Sequence, residues 1–334
     1  MTNRPIRAAA VAVVAAALLG TAVAPAVAAR PRPQAVASAP VLAGHADSLH
    51  PEDAVWDAGH GRFLVGSIRH GTVSVVRPDG SVRTLVDDPA KLVSVIGIQI
   101  DRARNRVLVA NADPGFGLRH DAAKVVAGIG AYDLETGRRI FYTDLAAVAA
   151  DAGRHFANDM VLGPDGEAYV TDSFAPVLYR VRPDGRASVI LRDQRLAAPV
   201  GGFGLNGIVR HGRTLLIAKY DDGTLWRVPV DRPEDFRQVR LTGPKAIGLD
   251  GLYSASEGRL LGVTNTLGGA GADTLVDIRS TDGWRTAVLT ARPSADPAPT
   301  AVVAGPHGSV FTLSGRMDLL FGGTTDDRFT LRRL

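Results

Sequence analysis

The chain contains no cysteine among its 334 residues. Disulfide bonds therefore cannot stabilise it, and a lipoprotein anchored through an N-terminal cysteine is excluded. Clustered positive charge is also missing, because lysine is scarce and arginines are interspersed with aspartates along the chain. Nucleic-acid binding requires a basic face, so the composition argues against a DNA- or RNA-binding protein. The formal net charge of +4 falls to about +2 if Arg4 and Arg7 are removed by N-terminal processing.

Long apolar runs are missing too, apart from one near the N-terminus. Arg4 and Arg7 precede an almost purely apolar run from Ala8 to Leu19, and Ala26-Val27-Ala28 forms a small-residue cleavage pattern. The run is short for a membrane-spanning helix. The pattern predicts a secretory signal peptide at residues 1–28, with an uncleaved N-terminal anchor as the alternative. The mature protein is then expected to be secreted or to lie in the cell envelope, without a stable membrane anchor.

Helix periodicity is nearly absent after this segment, and the alanine-rich stretch Asp144 to Asp151 is the best helix candidate. The rest consists of short runs rich in β-branched and aromatic residues, bounded by Gly, Pro, Asp and Asn, which indicate strand–turn–strand pairs. Hairpin turns are indicated where proline presets φ, aspartate bonds its own backbone and glycine takes a positive φ. Three such turns are Pro78-Asp79-Gly80, Pro164-Asp165-Gly166 and Pro183-Asp184-Gly185.

The strand pairs recur in blocks of roughly 40 to 60 residues, a length that suits one four-stranded propeller blade. Six blocks begin near Glu52, Ile96, Asn158, Asn206, Asp250 and Thr300. We therefore predict an all-β fold, a six-bladed β-propeller at residues 45–334. A Pro/Ala-rich linker at residues 29–44 is expected to precede it.

Oxygen-bearing side chains start four of these blocks. They are Glu52, Asn158, Asn206 and Asp250, and the last three recur at spacings of 48 and 44 residues. Equivalent positions in a closed ring point to its centre, so the four side chains are expected to converge. Two carboxylates and two amides are hard oxygen ligands and balance the charge of a divalent cation, most naturally Ca²⁺. The alternative is that Asn-Gly and Asp-Gly are ordinary turn dipeptides.

The second strand of each block should end on the face where the first strand begins. Residues at those ends are therefore expected to surround the mouth of the ring: Ser67, Asn111, Asp172, Ser173, Lys219, Tyr220, Asn265 and Ser314. Among them, Asp172, Lys219, Tyr220 and Asn265 are candidates for binding a small-molecule substrate together with Asn158. A plain surface role is the alternative for Lys219 and Tyr220.

Two histidines are candidate general bases near the expected cation. His120 lies in a long insertion from Asp113 to Gly130, and His155 precedes Asn158 by three residues. A histidine beside a metal-bound water is suited to proton transfer at neutral pH. Solvated loop histidines without a catalytic role are the alternative.

Four segments together carry a resemblance to a known family, the senescence marker protein 30 / gluconolactonase / luciferin-regenerating-enzyme-like family. The segments are Pro51–Asp57, Phe156–Asp159, Gly204–Ile208 and Leu249–Leu252. The resemblance implies a six-bladed β-propeller with a divalent cation, often Ca²⁺, in the central tunnel. It further implies that Glu52, Asn206 and Asp250 are metal ligands and that Asn158 contacts the substrate, the metal or both.

The sequence also departs from that family. Phe156 stands where the family has an arginine two residues before the Asn-Asp pair, and Asp53-Ala54 stands where Gly-Pro is usual. The stretch Val95 to Asp101 instead resembles the yellow/royal-jelly propellers, many of which are binders and not enzymes.

The leading hypothesis is metal-dependent hydrolysis of a lactone, ester or phosphotriester. The cation would polarise the substrate and activate a water, or orient Asp250 as the nucleophile or base. One alternative is a non-catalytic propeller that binds a small molecule or a protein partner. Another is a strictosidine-synthase-like propeller performing a condensation, which would be expected to use a glutamate of the rim or tunnel. The sequence does not indicate an oligomeric state.

Overall fold

The computed structural model describes residues 41–334, so the predicted signal peptide and most of the predicted linker lie outside the described residues. The domain boundary predicted at residue 45 is wrong. Val41–His45 forms the first strand, β1, which pairs antiparallel with the last strand of the chain. The Pro/Ala-rich composition that predicted a linker does not reveal this strand pairing.

The described strands form four sheets of four strands and one sheet of eight, in which two sets of four strands meet. The resulting six sets of four strands are numbered here as units 1 to 6. Unit 1 consists of β2 (Pro51–Asp57), β3 (Arg62–Ser67), β4 (Thr72–Val76) and β5 (Val82–Asp87). Unit 2 consists of β6 (Ser94–Asp101), β7 (Arg106–Ala112), β8 (Ala127–Asp133) and β9 (Arg139–Asp144). Unit 3 consists of β10 (Ala157–Leu162), β11 (Ala168–Asp172), β12 (Val177–Val181) and β13 (Ala187–Arg192). Unit 4 consists of β14 (Leu205–His211), β15 (Thr214–Lys219), β16 (Thr224–Pro229) and β17 (Arg237–Thr242). Unit 5 consists of β18 (Leu249–Ser256), β19 (Arg259–Thr264), β20 (Thr274–Arg279) and β21 (Thr286–Pro293). Unit 6 consists of β22 (Pro299–Ala304), β23 (Val310–Ser314) and β24 (Arg328–Arg333) together with β1.

Helical structure in the described residues is confined to short segments. They are α1 (Leu145–Ala149), α2 (Met317–Phe321) and four 3-10 turns at Arg102–Arg104, Gln194–Leu196, Pro233–Asp235 and Pro306–Gly308. The predicted helix is confirmed as α1, whose first turn is capped by the Asp144 carboxylate. Between residues 41 and 334 no helix combines the length and apolarity that crossing a membrane requires.

The first strands of the units form a ring. Each contacts the first strand of the next unit, from β2 through β6, β10, β14 and β18 to β22, and β22 contacts β2 again. Units 4 and 5 are joined further out by a parallel pairing of β17 with β21. The fold is therefore all-β and propeller-like, with apolar clusters packed between neighbouring sheets.

The two ends of the chain close this ring in unit 6. Gly44 of β1 faces the buried ring of Phe329 on β24, and a Cβ at this position would lie 2.0 Å from the Phe329 Cζ. Phe329 belongs to an apolar cluster with Phe63 of unit 1 and Phe311 of unit 6. The closing strand pair is thereby tied to the packing between the last and the first unit.

A break in strand pairing occurs at the same place in every unit, near the start of the first strand. The ladder between the first two strands skips one or two residues there, the signature of a β-bulge. The skipped residues are Glu52-Asp53, Ile96-Gly97, Asn158-Asp159, Asn206-Gly207, Asp250-Gly251 and Thr300. The four predicted oxygen-bearing residues are therefore structural equivalents, and Ile96 and Thr300 complete the set.

The second bulge residue contacts the next unit in one of two ways. Asp53 and Asp159 accept hydrogen bonds through Oδ2 from the backbone amides of Ile98 and Ile208, each at 3.0 Å. Gly207 lacks a side chain, and a Cβ there would lie 2.3 Å from the Asp250 carbonyl oxygen. Hydrogen bonds from backbone amides to these carboxylates, and close backbone contacts at the glycine, thus set the spacing between neighbouring first strands.

Candidate active site

Five side chains form a layer across the centre of the ring. Glu52, Asn158, Asn206, Asp250 and Thr300, here called the oxygen layer, line two cavities that meet at this level. All but Glu52 are buried. The structure therefore brings the four predicted residues together and adds Thr300, which sequence reasoning missed. The signal for Thr300 was its position at the start of the sixth block, although a hydroxyl is a weaker indicator of a cation site than a carboxylate or an amide.

Asn158 is held in a fixed orientation. Its Nδ2 donates to Ser173 Oγ at 2.9 Å, and that hydroxyl donates to the Leu205 carbonyl at 2.6 Å. Its Oδ1 is buried and has no hydrogen-bond partner. A buried acceptor without a partner is costly, so the position is suited to a ligand that the amide oxygen can bind.

Asp250 shows the same asymmetry. Its Oδ2 accepts a hydrogen bond from Asn265 Nδ2 at 2.6 Å, whereas its Oδ1 is buried and has no partner. Burial raises the pKa of Asp250 to about 7, against the opposing effect of the Asn265 and Asn206 amides beside it. The same cause raises the pKa of Glu52 well above its usual range, and the negative charge of Asp250 adds to it.

These features fit a hard divalent cation. Two unpartnered oxygens belong to one layer, and within residues 41–334 neither Glu52 nor Asp250 forms an ion pair with a basic side chain. The donors are carboxylate, amide and hydroxyl oxygens, which suit Ca²⁺ better than zinc. Within residues 41–334 no three His, Cys, Asp or Glu side chains group as they would in a metal site made from those residue types alone.

Asp53 and Asp159 add a second acidic pair on one side of the oxygen layer. Both line the cavity that also contains Gln99 and Arg210, here called the polar cavity. Burial raises the pKa of Asp159 to about 6 and raises the pKa of Asp53 well above its usual range, against hydrogen bonds from backbone amides. Sequence reasoning missed this pair, although each follows directly after a predicted ligand.

The cavity on the other side of the layer is mostly apolar and is here called the mouth cavity. Besides the oxygen layer, it is lined by Ile68, Ile96, Pro114, Phe156, Phe203, Tyr220, Leu267, Met317 and Phe321. Tyr220 follows the second strand of unit 4, as expected for a residue at the mouth. Phe156 reaches the cavity from the residue before β10.

The structure places His155 and Asp172 outside both cavities, contrary to the prediction that they act at the site. His155 is buried, with Nδ1 2.7 Å from Asp172 Oδ2 and Nε2 3.0 Å from Asp151 Oδ1. Asp172 Oδ1 accepts hydrogen bonds from three backbone amides, and its Oδ2 accepts one from Tyr179. The pair holds the loop that leads into β10.

His120 and Lys219 also lie away from the oxygen layer, which corrects their predicted roles. His120 is 40% exposed and pairs with Asp113 at 2.8 Å. Both residues lie on the loop of residues 113–126, which connects β7 to β8. The Lys219 ammonium binds the carboxylates of Asp221 and Asp222 at 2.6 and 2.9 Å. Neither side chain lines the mouth cavity or the polar cavity.

Tyr220 and Asn265 form a connected pair beside Asp250. The Tyr220 hydroxyl donates to Asn265 Oδ1 and accepts a hydrogen bond from the Gly268 amide. Asn265 Nδ2 then donates to Asp250 and to the Pro299 carbonyl. Asn265 therefore contacts Asp250 without lining either cavity, contrary to its predicted place among the substrate-binding residues, whereas Tyr220 lines the mouth cavity.

No protein-family model and no curated protein matches this sequence. Solved structures do share its fold. The Malassezia sympodialis allergen Mala s 1 aligns with a TM-score of 0.68 at 16% identity, over 88% of this chain and 95% of that chain. A gluconolactonase from Xanthomonas campestris aligns with a TM-score of 0.59 at 15% identity, over 89% and 90%.

A third structure is the PQQ-bound aldose sugar dehydrogenase of Streptomyces coelicolor, with a TM-score of 0.55 at 15% identity, over 89% of this chain and 99% of that chain. At these identities the likeness concerns the fold alone. The chain thus shares a propeller-like fold with a gluconolactonase and with proteins that differ in function.

Proposed function

We propose that the six units are the blades of a six-bladed β-propeller, and that this exported protein hydrolyses a lactone, ester or phosphotriester at a cation held in its oxygen layer. Glu52, Asn158, Asn206 and Asp250 would hold the cation, most favourably Ca²⁺. When bound, such a cation polarises a carbonyl or phosphoryl oxygen and lowers the pKa of bound water.

The observation that carries the proposal is the pair of unpartnered oxygens, Asn158 Oδ1 and Asp250 Oδ1. Each belongs to a side chain whose other polar atom is fixed by a hydrogen bond from or to a neighbour. Side chains locked in this way are preorganised, and their free oxygens are available to a ligand without further ordering.

The residues of the chain perform separate tasks in this proposal. Asn265 orients Asp250, whose Oδ1 would act in one of two ways. It would accept the proton of the attacking water, or it would attack the carbonyl or phosphoryl centre, so that the bond to the alkoxide leaving group breaks and water then hydrolyses the covalent intermediate. Ser173 orients Asn158, which contacts the substrate beside the cation. The apolar walls of the mouth cavity exclude bulk water from the reacting group.

The proposal is tested first by thermal melts in EDTA and in added Ca²⁺, and then by a panel of aryl esters, lactones and a phosphotriester. We expect Ca²⁺ to raise the melting temperature and to be required for turnover. Asp250→Asn, which keeps the size of the side chain, should abolish both effects. Unchanged Ca²⁺ stabilisation and unchanged turnover in Asp250→Asn would show that the site is misassigned.

A non-catalytic binding propeller is the second candidate. It is favoured by one observation, that within residues 41–334 the side chains lining the two central cavities include no histidine to act as a general base. Stabilisation by Ca²⁺ without turnover of any substrate in the panel would support this second candidate.

A further inference from the structure

We propose that the mouth cavity is a binding pocket for an apolar acyl or aryl group, so that the substrate is a neutral, largely apolar ester or lactone and not a sugar lactone. The claim that the bound molecule is a substrate rests on the proposed function. The binding of an apolar ligand in the cavity does not depend on that function.

The first observation is the composition of the cavity wall. Above the oxygen layer it consists of eight apolar side chains and Tyr220. The Tyr220 hydroxyl is already committed to Asn265 and to the Gly268 amide. A polyhydroxylated ligand would therefore leave its hydroxyl groups without partners along this wall, which is unfavourable in a buried site.

The second observation is the origin of the apolar side chains. Most other apolar clusters in residues 41–334 pack strands of neighbouring units together. One cluster instead draws on residues at the mouth of the ring, including Ile68, Phe156 and Met317. Five large members, Phe116, Phe174, Phe203, Leu267 and Phe321, are only partly buried. Apolar side chains that line a concave cavity with a few polar groups are typical of a small-molecule site.

Aromatic contacts give the pocket its shape. Phe156 packs against Phe174 and Phe203 with ring centroids 4.9 and 5.6 Å apart. Phe321 of α2 also lines the cavity and stacks on Phe116 of the long loop, with centroids 4.3 Å apart and planes at 15°. Packed aromatic rings from separate loops thus form much of the wall.

The oxygen layer forms the floor of this pocket and supplies its polar groups. The cavity has a volume of about 50 Å³ and is open at the mouth. A ligand with its carbonyl at the floor would fill the cavity with the adjacent part of its apolar body and place the rest against the partly buried aromatic side chains at the mouth. Phe156 is central to this arrangement, because it lies two residues before Asn158 and lines the same cavity. The wall therefore favours ligands with an apolar body, and the floor favours ligands with a carbonyl group that can react.

The experiment measures binding directly, with the neutral fluorophore N-phenyl-1-naphthylamine, which brightens in apolar sites. The wild-type protein and the variants Phe203→Gln and Phe321→Gln are titrated in excess Ca²⁺. Both substituted side chains are only partly buried, so both variants are expected to fold. The matched control is Phe141→Gln, because Phe141 is also partly buried but packs between units 2 and 3.

We expect the wild type and the control to bind the fluorophore, and each cavity variant to bind it at least about tenfold more weakly. A dodecanoic acid lactone should compete, whereas glucono-δ-lactone should not. Absence of binding, or equal binding by all four proteins, overturns the inference. Because no step of this assay requires turnover, an inactive protein that binds the fluorophore would refute the proposed hydrolysis and still support the pocket.

Discussion

Asn265 lies with its Nδ2 2.6 Å from Asp250 Oδ2 and 2.9 Å from the carbonyl oxygen of Pro299. The same amide group thus binds the first strand of unit 5 and the first strand of unit 6. It fixes one oxygen of the Asp250 carboxylate and leaves the other without a partner. The geometry of the oxygen layer therefore depends on a residue that does not line it.

Asn265→Ala should weaken Ca²⁺ binding by about 10- to 100-fold, because loss of a group that orients a ligand has effects of this size. Isothermal titration with Ca²⁺ measures the change. Asn111→Ala is the matched control, since Asn111 is equally buried and hydrogen-bonded in unit 2, to Tyr142 and to the Lys91 carbonyl. Equal loss of affinity in both variants would contradict a specific role for Asn265.

Gly207→Ala should destabilise the fold and the cation site together. The new methyl group would lie 2.3 Å from the Asp250 carbonyl oxygen, so the strand that carries Asp250 must shift. Overpacking of this kind costs about 1–3 kcal/mol. Melts with and without Ca²⁺ should show a lower melting temperature and a smaller Ca²⁺-induced rise. Gly59→Ala meets only ordinary contacts and should leave both unchanged.

Gly44→Val should weaken the closure of the ring. A side chain at this position collides with the buried Phe329 ring, which must leave its place between units 6 and 1. We expect a lower midpoint in urea unfolding, equivalent to roughly 1–3 kcal/mol. Ala43→Val places the same side chain on the exposed face of β1 and serves as the control. The closure assigned here would be wrong if the two variants unfolded alike.

His155 should make stability depend on pH. Burial alone would lower its pKa, but hydrogen bonds and charges from Asp172 and Asp151 outweigh it, and the pKa is raised above 6.5. A raised pKa in the folded state stabilises the protein below about pH 6.5, and that contribution is lost as pH rises through the folded-state value. Tyr179 and Arg192 are the other groups facing this pair.

His155→Gln removes the charge and keeps a hydrogen-bond donor for Asp172. In Ca²⁺-saturated buffer, the stability advantage of the wild type over this variant should be largest near about pH 5.5 and should shrink towards about pH 8.5. Hydrogen bonds to charged groups contribute about 1.5–3 kcal/mol, which sets the scale of the difference. Urea unfolding across this pH range measures it. A constant difference would mean that folding does not raise the pKa of His155.

The recurrence of short motifs was enough to predict much of the fold and the floor of the site. The blocks that begin at Asn158, Asn206 and Asp250 are each a four-stranded unit, and the turns at Gly80, Gly166 and Gly185 have the positive φ that was expected. Periodicity in sequence reports equivalent positions directly, because each unit repeats the same local backbone geometry.

The candidates chosen by chemical type lie elsewhere in the structure. His120, His155, Asp172 and Lys219 carry reactive groups, but each is satisfied by a neighbouring acid, base or backbone amide away from the oxygen layer. Sequence reveals which groups a residue brings, whereas the partners of a loop side chain depend on how the loop packs. Hydrogen bonds and ion pairs formed within a folded loop can therefore hold a plausible catalyst away from the site.

The sequence by itself determined that equivalent oxygen-bearing residues start successive strand units, since a repeat places like residues at like positions. Only the tertiary structure decided that each of them lies in a β-bulge, which of their oxygens has no partner, and that aromatic side chains from separate loops gather above them. The reason is that burial and unsatisfied hydrogen bonding belong to the packed ring. They arise from contacts between units, and no segment of the chain contains them alone.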